Sequence, residues 1–348
     1  MLGLWSKNVL RLPSGLDGGF VTIAYDEDED SKTEGSQSVA LYSDDLNNWS
    51  STNLNAPITW NHVCYFNNEF IAFGGNFSES SSSYWEVMDA YLAYSKDGKT
   101  WDVQKYNNNA TGSGLKFAKD TLARTVSSAS HNGVLVVSGT RTGIAWTTDG
   151  RKWTHFQHGD DIQMYGRDVI YAQDKFVRLG SGKLNWWSSD GRTWNTFATS
   201  LGTDTSIYMA FGNDVWVAFD AEGQYARSTN GTSWSSTNSI PINSSNFESI
   251  IAITFTKGFF LVCVQGITYE GQYTLFYRST DGINWECFRR EGELILQRIT
   301  HNDQFLSVSS IAPCVIESSP DGVSWTTIGE VSGQLPNKTE LGKVGFPG

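Results

Sequence analysis

Seven near-copies of one short string run along the chain: SDDLNNW (43–49), SKDGKTW (95–101), TTDGRKW (147–153), SSDGRTW (188–194), STNGTSW (228–234), STDGINW (279–285) and SPDGVSW (319–325). Their closing tryptophans lie 52, 52, 41, 40, 51 and 40 residues apart. Self-similarity at a period of about 40–50 residues points to one supersecondary unit per repeat, as in propellers. No helical periodicity of useful length competes with it.

A second signal recurs out of phase with the first. Short polar turns, such as Asn67-Asn68-Glu69, His131-Asn132-Gly133, Gly212-Asn213-Asp214 and Thr256-Lys257-Gly258, separate apolar runs such as HVCYF (62–66) and FIAFGG (70–75). Runs rich in β-branched and aromatic residues joined by such turns read as hairpins. Each unit therefore holds strands A and B, a loop, strand C ending in Ser-x-Asp, the Gly turn, and strand D after the Trp. The expected fold is all-β, a single seven-bladed β-propeller of four-stranded antiparallel blades over residues 1–331. Residues 5–13 are expected as strand A of the first blade. Residues 332–348, with four glycines and two prolines and no alternation, are expected as an extended C-terminal arm.

The Ser/Thr-x-Asp/Asn-Gly-x-x-Trp frame resembles the Asp-box, or BNR, repeat of sialidases and other β-propellers. The copies here are one residue shorter between Asp and Gly than the family pattern. The resemblance implies blade architecture and carries little about activity, because fold does not fix function. Physically, an Asp or Asn side chain can close the turn by accepting backbone N–H groups just after it. Gly takes φ > 0 without steric cost, and Trp is a large apolar anchor. Structural roles are therefore expected for Asp45, Trp49, Asp97, Trp101, Asp149, Trp153, Asp190, Trp194, Asn230, Trp234, Asp281, Trp285, Asp321 and Trp325. In the first copy Leu46 stands where Gly is found elsewhere.

With 25 Lys and Arg against 37 Asp and Glu, a formal charge of −12, nucleic acid and anionic membranes would be repelled overall. The N-terminus has no apolar stretch of signal-peptide length, and the longest apolar run, FFLVCV (259–264), is far too short to span a bilayer. The four cysteines, Cys64, Cys263, Cys287 and Cys314, have no metal-ligand spacing and read as buried free thiols. Neither a cofactor nor a metal is expected.

Function is expected in the B–C loops and D–A connectors, which are longer and more varied than the opposite turns. DEDED (26–30) offers carboxylates for a cation but lacks the spacing of a Ca²⁺ loop, and reads better as solvated. NFSESSSSYWEVMDAY (76–91) carries Tyr84 and Trp85, suited to sugar stacking or a protein contact. HFQHGDD (155–161) places His155, His158, Asp160 and Asp161 on a connector, and Tyr269-Glu270 sits on another loop. The sialidase resemblance would require an arginine cluster and a Tyr–Glu pair. Arg11-Leu12-Pro13 matches its Arg-x-Pro element loosely, and Arg124, Arg167, Arg298 and Tyr269-Glu270 are the other candidates.

The expectation is a non-enzymatic binding or structural module. Similar Asp-box propellers occur in bacteriophage tail and adhesion proteins. That setting implies a virion protein made in the host cytoplasm, contacting other subunits of a particle and, at its other face, host glycan. A free lectin-like propeller and a glycoside hydrolase are the alternatives.

Overall fold

The computed structural model describes residues 20–26, 39–44, 48–54, 58–79, 85–106, 119–139, 143–156, 166–180, 185–201, 207–246, 248–268, 271–291, 295–301, 304–308, 315–331 and 339–345, some of these strand residues through their backbone alone. In chain order the strands are β1 (Phe20–Asp26), β2 (Val39–Ser43), β3 (Asn48–Asn53), β4 (Thr59–Phe66), β5 (Glu69–Glu79), β6 (Trp85–Ser95) and β7 (Asp102–Lys105). They continue as β8 (Thr125–His131), β9 (Val134–Gly139), β10 (Ile144–Thr147), β11 (Thr154–Phe156), β12 (Gly166–Ala172), β13 (Lys175–Gly180), β14 (Asn185–Ser188) and β15 (Asn195–Phe197). Next come β16 (Ile207–Gly212), β17 (Val215–Asp220), β18 (Gln224–Ser228), β19 (Asn238–Ser239), β20 (Ser249–Thr256), β21 (Phe259–Thr268), β22 (Gly271–Ser279) and β23 (Glu286–Glu291). The last are β24 (Ile295–His301), β25 (Gln304–Val308), β26 (Val315–Ser319), β27 (Thr326–Val331) and β28 (Thr339–Gly345).

Five sheets are four-stranded meanders: β4–β7, β8–β11, β12–β15, β16–β19 and β20–β23. The sixth has eight strands in the order β24-β25-β26-β27-β3-β2-β1-β28. The expected seven blades are thus corrected to six. The strands assigned to the first and last blades share one sheet, because β27 pairs in parallel with β3 through Glu330↔Asn48 and Val331↔Trp49. Tail residues 339–345 correct the expected arm, since they form β28 and pair antiparallel with β1. The first sheet therefore borrows a strand from the far end of the chain. Residues 5–13, expected to fill that place, lie outside the described residues.

The chain divides into two compact units, residues 1–163 with 310–316 and 328–348, and residues 164–309 with 317–327. Within each, burial falls from the first strands of a sheet to the last. β4 is buried over seven of its eight residues and β9 over all six. The fourth strands β7, β11 and β15 are mostly exposed or half-buried. Strands packed on both faces read as continuous apolar runs rather than alternating ones. That is why FFLVCV is apolar throughout and HVCYF nearly so, its buried His62 lying 2.9 Å from Ser128 Oγ.

The hairpins between first and second strands close with both central residues left-handed: Asn67 and Asn68 (φ 50° and 62°), Gln173 and Asp174 (48° and 57°), and Asn213 and Asp214 (47° and 58°). Two consecutive positive-φ residues are the requirement of the type I′ turn, whose twist matches that of the flanking strands.

Candidate functional site

The repeated box is built the same way in the six copies whose turn is described. Ser95 Oγ donates to Asp97 Oδ1 at 3.0 Å and accepts from Gly98 N at 2.8 Å. Asp97 Oδ1 also accepts Lys99 N and Thr100 N, each at 2.8 Å. Thr147 with Asp149, Ser188 with Asp190, Ser279 with Asp281 and Ser319 with Asp321 repeat the arrangement. Asn230 does the same through its amide oxygen, accepting Thr232 N at 3.0 Å and Ser233 N at 2.8 Å. One side-chain oxygen thus takes two backbone donors that would otherwise be left to water, which closes the turn.

These bonds set the acidity of the carboxyls. Partial burial pushes Asp97, Asp190, Asp281 and Asp321 up, but the backbone donors and the neighbouring hydroxyl outweigh it and hold all four below the ordinary aspartate value. For Asp149 the Lys152 N–H is the largest influence, and the net direction is again down.

Glycine is required in the box for two reasons. Gly282 sits at φ 70°, and a Cβ there would come within 2.6 Å of Val217 Cγ2 on the preceding sheet. Gly98 and Gly322 meet Val21 and Leu261 on their preceding sheets in the same way. The tryptophans dock where the glycines let the turn approach. Trp153 stands edge-on to Phe73 at 5.5 Å and Trp285 edge-on to Phe219 at 5.2 Å, while Trp325 stacks on Phe276 at 5.2 Å. Trp49, Trp153 and Trp194 are buried; Trp101, Trp234, Trp285 and Trp325 are half-buried. Trp101 and Trp234 also donate their indole N–H to the carbonyls of Gly98 and Gly231.

Neighbouring turns are laced together. Asn67 Nδ2 donates to Thr148 O, Arg151 pairs with Glu69 at 2.6 Å, and Tyr94 Oη donates to Gly150 O. Asn213 Nδ2 reaches both Gly258 O and Thr280 O, and Lys175 Nζ reaches Asn230 O. Among the described residues, this end of the sheets spends its Ser, Asp and Asn side chains on backbone groups, while Ile283 and Val323 of two boxes stay exposed.

The opposite ends differ. β5 and β6 continue as a two-stranded hairpin past the end of β4, through Phe77↔Val87 to Glu79↔Trp85. Met88 on this hairpin is 52% exposed. Lys119 donates to the Met88 carbonyl, Lys105 pairs with Asp89 at 2.8 Å, and the Arg124 guanidinium lies 4.9 Å over the Phe77 ring. In the other unit, β21 and β22 project as far as Thr268↔Gly271, with Ile267 44% exposed.

Beneath that second hairpin lies a polar cluster. Buried Tyr273 donates its hydroxyl to Glu248 Oε1 and accepts from Asn246 Nδ2 at 3.1 Å. Glu248 Oε2 accepts Asn243 N at 2.6 Å, and the Arg289 guanidinium stands 4.2 Å from the Tyr273 ring. Gly266 leaves the room this phenol occupies, since a Cβ there would meet its Cζ at 2.5 Å. Burial, and then the bond to Glu248, push the Tyr273 hydroxyl above its ordinary value.

Of the candidates read from the sequence, Trp85 begins β6 through its described backbone. Tyr84, Asp160, Asp161, Tyr269, Glu270, Asp45, His158, Arg11 and Cys314 lie outside the described residues, as do residues 27–30 of the acidic run. Arg167 and Arg298 are described through their strand backbone only. Arg124 caps a short helical turn beside Phe77. His155 is half-buried, its Nδ1 3.3 Å from Thr121 Oγ1, and burial pushes its pKa down to about 4. Cys64 and Cys263 are buried as expected, whereas Cys287 is exposed, a correction. No group of three or more metal-ligating side chains occurs among the described residues. No described helix is long and apolar enough to cross a membrane.

Sequence reading missed the polar residues carried inside apolar strands. Arg178, in KFVRLG, is fully buried with its guanidinium 5.1 Å from the Trp186 ring, and burial lowers its pKa to about 10. Glu317, in VIESS, is buried and pairs with Arg290 at 2.8 Å. A charge interrupting a β-branched run was the available signal.

Solved structures with the same arrangement of sheets include a YCF48 bound to a D1 peptide (14% identity, TM-score 0.53, 81% of this chain and 86% of that one). A YCF48 from Cyanidioschyzon merolae is similar at 12% identity and TM-score 0.53, over 83% and 96% of the two chains. A GH74 xyloglucanase from Xanthomonas campestris matches at 14% identity and TM-score 0.53 over 97% of this chain, which spans 55% of that enzyme. The chain is a β-propeller. Its blades are four-stranded, and identities this low carry the propeller fold alone. No protein-family model matches the sequence, and no curated protein matches it.

Proposed function

We propose that this propeller is a non-enzymatic binding and structural module whose partner is a protein surface engaged by the projecting hairpins. The observation that carries the reading is that β5–β6 and β21–β22 extend beyond their sheets with Met88 and Ile267 exposed; Ile283 and Val323, exposed in two box turns, are the competing apolar surface. Exposed apolar side chains on a rigid support are what a protein contact uses. A YCF48 bound to a D1 peptide, among the structures with this fold, supports a protein partner.

The finer setting we propose is a virion, with this chain as a tail or adhesion component contacting neighbouring subunits and, through Tyr84 and Trp85, host glycan. It rests on the Asp-box resemblance and on the acidic composition of the chain. Asp160, Asp161, Tyr269 and Glu270 remain proposed binding residues on the same grounds. A xyloglucanase among the structural neighbours keeps a glycoside hydrolase as the second reading.

The test is a peptide and glycan array probed with the purified protein and with Met88→Asp and Ile267→Asp variants. Peptide binding that either substitution weakens at least about tenfold supports the reading. A glycan signal lost in Trp85→Ala but not in those variants supports the glycan half alone. Turnover of sialosides or aryl glycosides that disappears in Arg11→Ala would replace the reading with the enzyme. Antibody labelling of intact virus particles tests the setting, and labelling confined to free protein would sink it.

A further inference from the structure

β1 takes its two neighbours from opposite ends of the chain. β2 follows it closely in sequence, whereas β28 comes from residues 339–345 and pairs with it at Val21↔Gly345, Thr22↔Val344, Ile23↔Gly342, Ala24↔Leu341, Tyr25↔Glu340 and Asp26↔Thr339. The register shifts between Thr22 and Ile23. Without β28, β1 would present a row of unpaired N–H and C=O groups beside Val21 and Ile23, both fully buried. An edge of that kind is a template for another strand.

The resident strand is weakly specified. Its sequence, TELGKVG, has glycine at 342 and 345, charges at Glu340 and Lys343, and no apolar alternation. Glycine inside a strand costs backbone entropy and offers no side chain to pack. The corresponding first strands β4 and β16 are buried along nearly their whole length. β28 is placed by its pairing with β1 and by its approach to β4, and an identical segment from a second copy supplies both equally. What favours the chain's own copy is the tether of residues 332–338, which sets its effective concentration.

We propose that the β1 edge is a strand-acceptor site, filled within one chain by its own β28 and between chains by the β28 of a second copy. Closure of the sheet and self-association then use the same contact. Exchange of an identical element between protomers is a low-cost route to assembly, and strand addition at an edge gains affinity from main-chain bonds alone. This goes beyond the reading of the hairpins, which it leaves free in the assembled state.

The experiment uses the full chain with Cys287→Ser, to remove the exposed thiol. Ala24→Cys and Leu341→Cys are added together or separately, because these positions are Cα partners across the β1–β28 pair. Under mild oxidation the double variant is expected to run as a cross-linked monomer when dilute, with a covalent dimer rising as concentration increases. A mixture of the two single variants is expected to give a disulfide heterodimer that neither forms alone. Cross-linked monomer at every concentration, with no heterodimer in the mixture, would overturn exchange between copies. No cross-link in the double variant would overturn the pairing itself.

Discussion

The two ends of the sheets solve opposite problems with similar residues. At the box end, Ser, Asp and Asn side chains are consumed by the backbone of their own turn, and Trp is pressed onto the neighbouring sheet. At the hairpin end, Asp89, Lys105 and Lys119 hold a projection in place while Met88 stays in solvent. Both ends leave apolar side chains exposed, Ile283 and Val323 at the boxes and Met88 and Ile267 at the hairpins, but only at the hairpins do the strands project past their sheet to carry them. Stability should therefore respond mainly to substitutions at the first end, and binding to those at the second.

The largest expected effect lies at the tryptophans. Trp153→Ala removes a side chain only 7% exposed and packed on Phe73, and should cost about 3–5 kcal/mol in urea unfolding. Unfolding indistinguishable from wild type would mean that the box is not an anchor.

Gly282→Ala comes next, because it combines a positive φ with a close contact to Val217 and should cost roughly 1–3 kcal/mol. Gly258→Ala is its control. That residue also has positive φ, at 82°, but a Cβ there meets nothing within 4 Å, so it should cost less. Equal costs would show that backbone strain alone, and not the approach of the sheets, demands glycine in the box.

Acid should act in two stages. Burial lowers the folded-state pKa of His155 to about 4 from an ordinary 6.5, so its contribution is fully present above pH 6.5 and is lost as pH falls toward 4. The box carboxyls lie below the ordinary 3.8 when folded, so their contribution is present above that value and is lost as pH falls further. Melting temperature against pH should therefore fall in both windows. His155→Gln should flatten the upper window only, and flattening of the lower one instead would reverse the assignment.

The smallest effect expected is a gain. Lys257 holds φ 49° in an exposed turn, and Lys257→Asn should stabilise by up to about 0.5 kcal/mol, since Asn tolerates that region better. A loss would mean that the lysine side chain contributes something beyond the turn.

Much of the architecture was legible because it is local. Asn67-Asn68 and Asn213-Asp214 announce their turns by residue type, and the box announces both its hydrogen bonds and its anchor. The parts that were not legible are non-local. The pairing of β27 with β3, which lowers the count to six blades, rests on two residue pairs far apart in sequence. β28 carries no strand signature of its own and takes its form from the β1 edge. Residues 76–79 and 85–90, expected within a variable loop, extend as strands because each supplies the other's hydrogen bonds. The Tyr273–Glu248 pair joins residues 25 apart across a connector and a hairpin, which neither segment indicates alone.

The most direct test of the division between the ends is to shorten one hairpin. Replacing residues 78–86 by Asn-Gly joins Phe77 and Val87, already cross-strand partners, through a two-residue turn and removes Tyr84 and Trp85. The account predicts a melting temperature within about 2 °C of wild type, together with loss of the glycan binding proposed for Tyr84 and Trp85. A fall as large as that of Gly282→Ala, with binding retained, would contradict it.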